Sequence, residues 1–183
     1  MTFQHFDHDG RARFVTFGAH LGIPVLLSDD IRQTVVDAIA LTRSQMGLSL
    51  IAYVIMPQHV HLVMIPPIDG KVGSIVGQMK ELSSQGIHRI LEGYDSDQLD
   101  RLRVVRRGKC RFRLWKPRCF DHNCRTEEAM WHRVRYCHWN PVRGGLVAHP
   151  EDFIWSSYRW YLGYDDVPLA MDVPQGARRG ISY

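Results

Sequence analysis

Two histidines one residue apart, His59-Val60-His61, are the side chains whose type and spacing most directly suggest chemistry. They open an apolar run, His59 to Ile65, that reads as a strand. Side chains alternate faces along a strand, so both imidazoles project from one face and Val60 from the other. Two imidazoles on a rigid element make a good pair of metal ligands. The same spacing also fits two histidines on the open face of an ordinary hairpin, and the pair alone does not decide between the two. A second group lies later in the chain. Met130, Val134 and Cys137 fall at i, i+4 and i+7, the buried stripe of a helix. His132, Tyr136 and Asn140 fall at i, i+4 and i+8, roughly opposite. A tyrosine is thus turned outward between a histidine and an asparagine. It is either a nucleophile or a partly buried aromatic.

A third feature is charge. From Arg101 to Arg125 the chain carries ten basic residues against one acid, Asp121. The ten are Arg101, Arg103, Arg106, Arg107, Lys109, Arg111, Arg113, Lys116, Arg118 and Arg125. Most of the formal excess of +4 therefore falls in one block. Phe112, Trp115 and Phe120 interleave with it. Cations for phosphates and rings for bases are the composition of a single-stranded nucleic-acid surface. Trp115 and Phe120 also fit as core residues of a strand at about 113–120. Lys80, on the outer face of a helix, reads either as a solvated lysine or as a phosphate contact beside the histidine pair.

The elements that must position these groups follow from periodicity and punctuation. Phe14 to Phe17 reads as a first strand. Ser28-Asp29-Asp30 signals a helix start, and Ile31, Val35, Ala38, Ile39 and Met46 carry a helix over about 29–46, ended by Gly47. Leu48 to Met56 and His59 to Ile65 form a second and third strand around a turn at Pro57-Gln58. Lys71 to about Leu91 is a second helix, and 92–110 reads as a loop or irregular insert. Thr126-Glu127-Glu128 opens the tyrosine helix, which Pro141 should stop near Asn140. Strand, helix, strand, strand, helix, strand and a further helix make an α+β, ferredoxin-like β-α-β-β-α-β pattern with an added C-terminal helix carrying the tyrosine. That topology puts the histidine strand at the centre of the sheet. Which face the added helix covers is open.

At 183 residues with 45% hydrophobic content the chain is one globular domain. We take 1–164 as that domain, with a basic insert at about 92–113, and 165–183 as a mobile tail. The polar start, with His5 and His8, reads as a loose arm. Cysteines at 110, 119, 124 and 137 show no CxxC spacing, which together with no signal-peptide pattern suggests reduced thiols in a cytoplasmic protein. No apolar run approaches the ~20 residues needed to cross a bilayer.

Tyr53-Val-Ile-Met-Pro-Gln-His-Val-His-Leu62 resembles the histidine–hydrophobe–histidine motif of single-tyrosine (HUH) transposases. Arg135-Tyr-Cys-His-Trp-Asn-Pro-Val-Arg-Gly-Gly-Leu-Val147 resembles their tyrosine helix. Leu114 to Arg125 and Phe153-Ile-Trp-Ser-Ser157 are similar to segments of the branch called REP-associated tyrosine transposases. The resemblance runs from about Phe14 to Tyr161. It departs at Gln58, where the family usually has asparagine, and at Cys137-His138-Trp139. It implies cleavage and rejoining of single-stranded or hairpin DNA, with Tyr136 attacking phosphorus to give a 5′-phosphotyrosine. It further implies a divalent cation, Mg2+ or Mn2+, on His59, His61 and Asn140. Help for the phenol, whose pKa is about 10, would come from the cation's field or from a nearby base such as His132 or His138. DNA contacts would fall to Lys80, Arg103, Arg106, Arg107, Arg111, Arg113, Trp115, Arg118, Arg125 and Arg143. Whether a partner copy supplies the tyrosine stays open. The alternative is a non-catalytic nucleic-acid-binding module on the same fold. A relaxase-type nuclease would arrange its histidines and tyrosines differently, and a small metallohydrolase would want more acidic ligands.

Overall fold

The computed structural model describes residues 10–94 and 97–173. Strand β1 (Arg13–Gly18) passes through a short 3-10 turn into helix α1 (Asp29–Met46). Strands β2 (Ser49–Met56) and β3 (His59–Ile65) follow as a hairpin, then helix α2 (Val72–Gly93) and a short helix α3 (Asp97–Arg101). A two-stranded ribbon, β4 (Arg103–Arg106) and β5 (Lys109–Phe112), precedes strand β6 (Phe120–Asn123). Helix α4 (Glu127–Arg143) and a single helical turn α5 (Tyr158–Tyr161) complete the order.

The main sheet runs β2-β3-β1-β6, every pair antiparallel. This is the expected ferredoxin-like order, with β1 and β3 at the centre. Val15 and Phe17 of β1 and Val60, Leu62 and Met64 of β3 share one face and are buried. They meet the buried stripes of α1, including Ile31, Val35 and Ile39, and of α2, including Ile75, Met79 and Ile87. The two helices cross closely at Gly86, where a Cβ would stand 2.5 Å from the Thr34 Cγ2 atom. The opposite face carries Phe14, Thr16, His59 and His61 and lies beneath α4.

Three expectations about the second half are corrected. The stretch 92–110 is not a plain loop: α3 and most of the ribbon occupy its described part. The ribbon turns at Arg107 and Gly108, with φ of 52° and 73°. Two positive φ values give the turn that matches strand twist, but arginine is a poor signal for the first of them. The fourth strand lies at Phe120–Asn123 rather than 113–120. Leu114 and Trp115 instead tuck inward before it, and Trp115 bridges Ala19. Helix α4 runs through Pro141 to Arg143. A proline in the last turn forfeits one hydrogen bond where the ladder is about to end, so it does not stop the helix.

After α4 the chain returns to the sheet. The Trp155 carbonyl accepts from the Ile55 N–H at 2.9 Å, and Ser157 N–H donates to the Tyr53 carbonyl at 3.0 Å. This short pairing covers the outer edge of β2. Residues 165–173, within the stretch expected as a mobile tail, also reach β2. Asp172 accepts from the Leu50 N–H at 2.9 Å and pairs with Arg43 at 2.7 Å. Residues 174–183, and the arm with His5 and His8, lie outside the described residues. The four cysteines are free thiols, and no helix among the described residues is long and apolar enough to cross a membrane.

β6 is held to β1 by a buried ion pair. Arg13 Nε donates to Asp121 Oδ1 at 2.9 Å, and both side chains are 3% exposed. Removing the charge of one member of such a pair leaves the other less compensated in a dry site. Asp121→Asn is expected to lower unfolding free energy by ~3–5 kcal/mol in urea titration. A loss under about 1 kcal/mol would show that water or another group relieves Arg13.

Candidate active site

β3 delivers His59 and His61 to the face under α4, as the strand alternation requires. Their ring centroids are 4.5 Å apart. His61 is 6% exposed, and its Nδ1 lies 2.7 Å from Thr16 Oγ1 on the neighbouring strand. Its other nitrogen, Nε2, is buried and has no hydrogen-bond partner among the described residues. His59 is hydrogen-bonded to the Asn140 side chain. Burial lowers the pKa of both imidazoles, the Lys116 ammonium adding to the effect at His59. His61 is brought down to about 3 by burial and by His59 beside it. Both rings are therefore neutral at ordinary pH, which is the protonation state of a metal ligand.

The helix supplies the third group. Thr126 caps α4, its hydroxyl accepting from the Ala129 N–H at 3.1 Å, with Glu127 and Glu128 in the first turn. Val134, Cys137, His138 and Pro141 are its buried residues. Tyr136 points at the histidine face. Its ring centroid lies 5.3 Å from that of His61 at 73° and 5.7 Å from that of Phe14 at 89°. The Arg143 guanidinium stands 5.6 Å over the same ring. Tyrosine, both histidines and Asn140 therefore gather within a single chain.

A cation here would take its protein donors from His59, His61 and Asn140. The unpartnered, buried Nε2 of His61 fits that use, since a buried nitrogen without a partner is otherwise costly. No group of three or more His, Cys, Asp or Glu placed to hold a metal ion occurs among the described residues. The donor set is thus two imidazoles and one amide oxygen, with carboxylates absent.

His138, expected as a base near the phenol, is used elsewhere. It is fully buried, with Nε2 2.9 Å from Ser157 Oγ and its ring packed by Tyr158 and Tyr161. Burial brings its pKa down to about 3. His132 is exposed. The folded pKa values of His61 and His138 lie below that of an unfolded histidine near 6.5, so the unfolded chain takes up protons first. The stability these two rings provide is complete above that value and is lost as pH falls toward 3. From pH 7.5 to 5.5 the pair should cost roughly 3 kcal/mol, and His59, shifted the same way, adds to it. Urea unfolding at the two pH values measures the drop. His138→Gln should remove about half of it, and an unchanged drop would refute the assignment.

The expected DNA-contacting residues fall into three groups. Arg103, Arg106, Arg107 and Arg111 belong to the β4–β5 ribbon, and the Arg113 N–H joins it to the Leu102 carbonyl at 2.7 Å. Phe112 anchors the ribbon on α2 by stacking against His88 at 4.3 Å. Arg118 and Arg125 are exposed on either side of β6, and Arg143 lies over Tyr136. Lys80 and Trp115 are on the other side of the sheet. Lys80 Nζ donates to the carbonyls of Lys116 at 3.0 Å and Arg118 at 3.1 Å, and sits over the Phe17 ring. Trp115 is 6% exposed, with its indole N–H on Ser83 Oγ at 3.0 Å. Both brace the 114–118 segment, on the face of the sheet away from the histidines. Alternation could not reveal this, because which face of a helix or irregular segment meets the sheet is a tertiary matter.

Three residues near the site carried no individual signal. Thr16 is visible as a polar residue inside an apolar strand. Lys116 was counted only as one cation of ten, yet its side chain runs beside Gly18 and His59. Arg133 lies 5.0 Å over the Phe14 ring.

The chain matches the family model described as IS200-like transposase over residues 24–100. The match spans His59 and His61 and ends before α4. A REP-associated tyrosine transposase, solved bound to a REP hairpin, has a similar fold: TM-score 0.67 and 20% identity over 95% of this chain and 93% of that one. A candidate transposase from Deinococcus radiodurans R1 superposes with TM-score 0.50 and 18% identity, covering 74% of this chain and 95% of that one. No curated protein matches in sequence. The family match covers the histidine motif but not the tyrosine helix, and the two solved structures share the fold.

Proposed function

We propose that this chain cleaves and rejoins single-stranded DNA at hairpin-forming sequences, with Tyr136 as the nucleophile. The observation that carries this reading is the approach of the Tyr136 ring to His61, centroids 5.3 Å apart, within one protomer. The hairpin held by the structural neighbour supports the same substrate class here.

The Tyr136 hydroxyl attacks phosphorus, and the bond from phosphorus to the 3′-oxygen breaks. The phenol's proton leaves to water, and the departing 3′-oxygen gains one. The product is a 5′-phosphotyrosine with a free 3′-hydroxyl, which keeps the energy of the diester, so another 3′-hydroxyl can reverse the step without ATP. His59, His61 and Asn140 would hold Mg2+ or Mn2+. When bound, such a cation offsets charge on a nonbridging phosphate oxygen. Thr16 takes the Nδ1–H of His61, which fixes the ring and leaves the Nε2 lone pair for the site. Phe14 packs edge-on to Tyr136 and limits where its hydroxyl can swing. Lys116 and Arg143 bring positive charge to the two flanks of the pair, where phosphates approach. The ribbon arginines, on the α2 side, would meet duplex or flanking strand further away.

Incubating the full chain with hairpin oligonucleotides and Mn2+ tests the reading. The expected product is a covalent protein–DNA species that survives denaturing electrophoresis, disappears with EDTA and is absent in Tyr136→Phe. Tight hairpin binding with no such species under any cation would make the chain a binding module instead.

A further inference from the structure

Strand β6 leaves two rings open on the same face as the site. Phe120 pairs across with Thr16, and His122 with Phe14, so both side chains share the face of His61. The two rings are parallel to within 3°, with centroids 6.4 Å apart. Phe120 is 51% exposed, a large apolar ring left in water on an edge strand. Phe14 links this pair to the tyrosine: its ring lies 6.4 Å from Phe120 and 5.7 Å from Tyr136, edge-on to both. Only one ring therefore separates Phe120 from the proposed nucleophile. Helix α4 packs on β2, β3 and β1, so it does not cover Phe120. Cations border the pair, since Arg133 and Arg125 both act on His122.

We propose that Phe120 and His122 hold an unpaired nucleobase of the strand presented for cleavage, an inference that rests on the DNA-cleaving reading. The parallel rings, with centroids 6.4 Å apart, present aromatic surface on which a flat base can stack. Arg125 and Arg133 neutralise the phosphates that flank such a base. Every base has a π face, so the pocket grips strand position rather than sequence. An apolar protein partner fits less well, because Arg125 and Arg133 lie beside His122. The consequence is positional: stacking a base beside Phe14 sets which phosphate faces Tyr136.

The test is hairpin binding by fluorescence anisotropy, on a Tyr136→Phe background so that no strand is cut. The hairpins carry a single-stranded flank in which each nucleotide in turn is made abasic. Phe120→Ala should weaken the intact hairpin about tenfold, while Phe120→Trp should keep most of the affinity. One abasic position should weaken the Tyr136→Phe protein by a similar factor, yet cost Phe120→Ala nothing further. His122→Ala should show the same loss at the same position, less strongly. If Phe120→Ala binds within twofold, or its loss multiplies with that of every abasic position, the base-holding role is overturned. Such results leave cleavage by Tyr136 standing. If no hairpin binds at all, the DNA-cleaving reading and this inference fall together.

Discussion

Tyr136→Phe should bind hairpin DNA within about twofold of the parent and cleave it at least ~10³-fold more slowly. The substitution removes one oxygen. The phenyl ring keeps its edge-on contacts with His61 and Phe14 and its place under the Arg143 guanidinium. Neither the fold nor the electrostatics of the face should change, so circular dichroism and urea midpoint should match the parent. Deleting a nucleophile typically costs more than deleting any group that only assists it, because the assisting groups then have nothing to act on. The residual rate would be direct attack by water, which leaves no covalent species. Quenched samples on a denaturing gel read both quantities, free product and adduct. A persistent adduct in the variant would reassign the nucleophile, with the other tyrosines of the C-terminal segment next in line.

The two halves of this site were legible to different degrees, and the reasons are physical. His59 and His61 could be placed because strand alternation is local: once β3 is recognised, their shared face follows. Tyr136 and Asn140 could be put on one helical face for the same reason. What local periodicity cannot give is the side of the sheet on which a helix lands. Lys80 and Trp115 show the cost. Each has the composition of a DNA contact, and each belongs to the α1–α2 side, where Lys80 tethers the chain leading into β6. The ribbon was hidden by its turn, since Arg107 adopts a left-handed conformation that sequence patterns assign to Asn, Asp or Gly. Pro141 reads as a helix breaker by its type, but its place in the final turn lets α4 run on to Arg143. Thr16 was passed over as a polar residue in an apolar strand. Its meaning depends on pairing with His61 across a strand boundary, a contact 45 residues distant in sequence.

His61→Ala should cost nearly as much activity as the loss of the tyrosine, by a different route. His61 is the buried member of the histidine pair, held by Thr16 on one nitrogen and unpartnered on the other. Removing it deletes one of the three protein donors proposed for a cation and leaves only His59 and Asn140. Adduct formation should fall by about 10³-fold, equivalent to ~4 kcal/mol in the barrier. Manganese affinity, read by titration with electron paramagnetic resonance, should fall by ~100-fold or more, beyond what loss of a supporting hydrogen bond produces. Stability should fall less than a core truncation suggests. The variant opens space between Phe14 and Tyr136, but it also removes a buried nitrogen without a partner, so the net change should stay within about 2 kcal/mol. The drop in stability from pH 7.5 to 5.5 should shrink by roughly half, because the protons taken up by the unfolded chain at this position are gone. Thr16→Val separates the two functions of the imidazole. It keeps both nitrogens in the chain but frees the ring, so metal affinity should fall ~10-fold and adduct formation with it. Should His61→Ala bind manganese as the parent does while cleavage is lost, the histidines would be contacting DNA themselves and the cation would sit elsewhere.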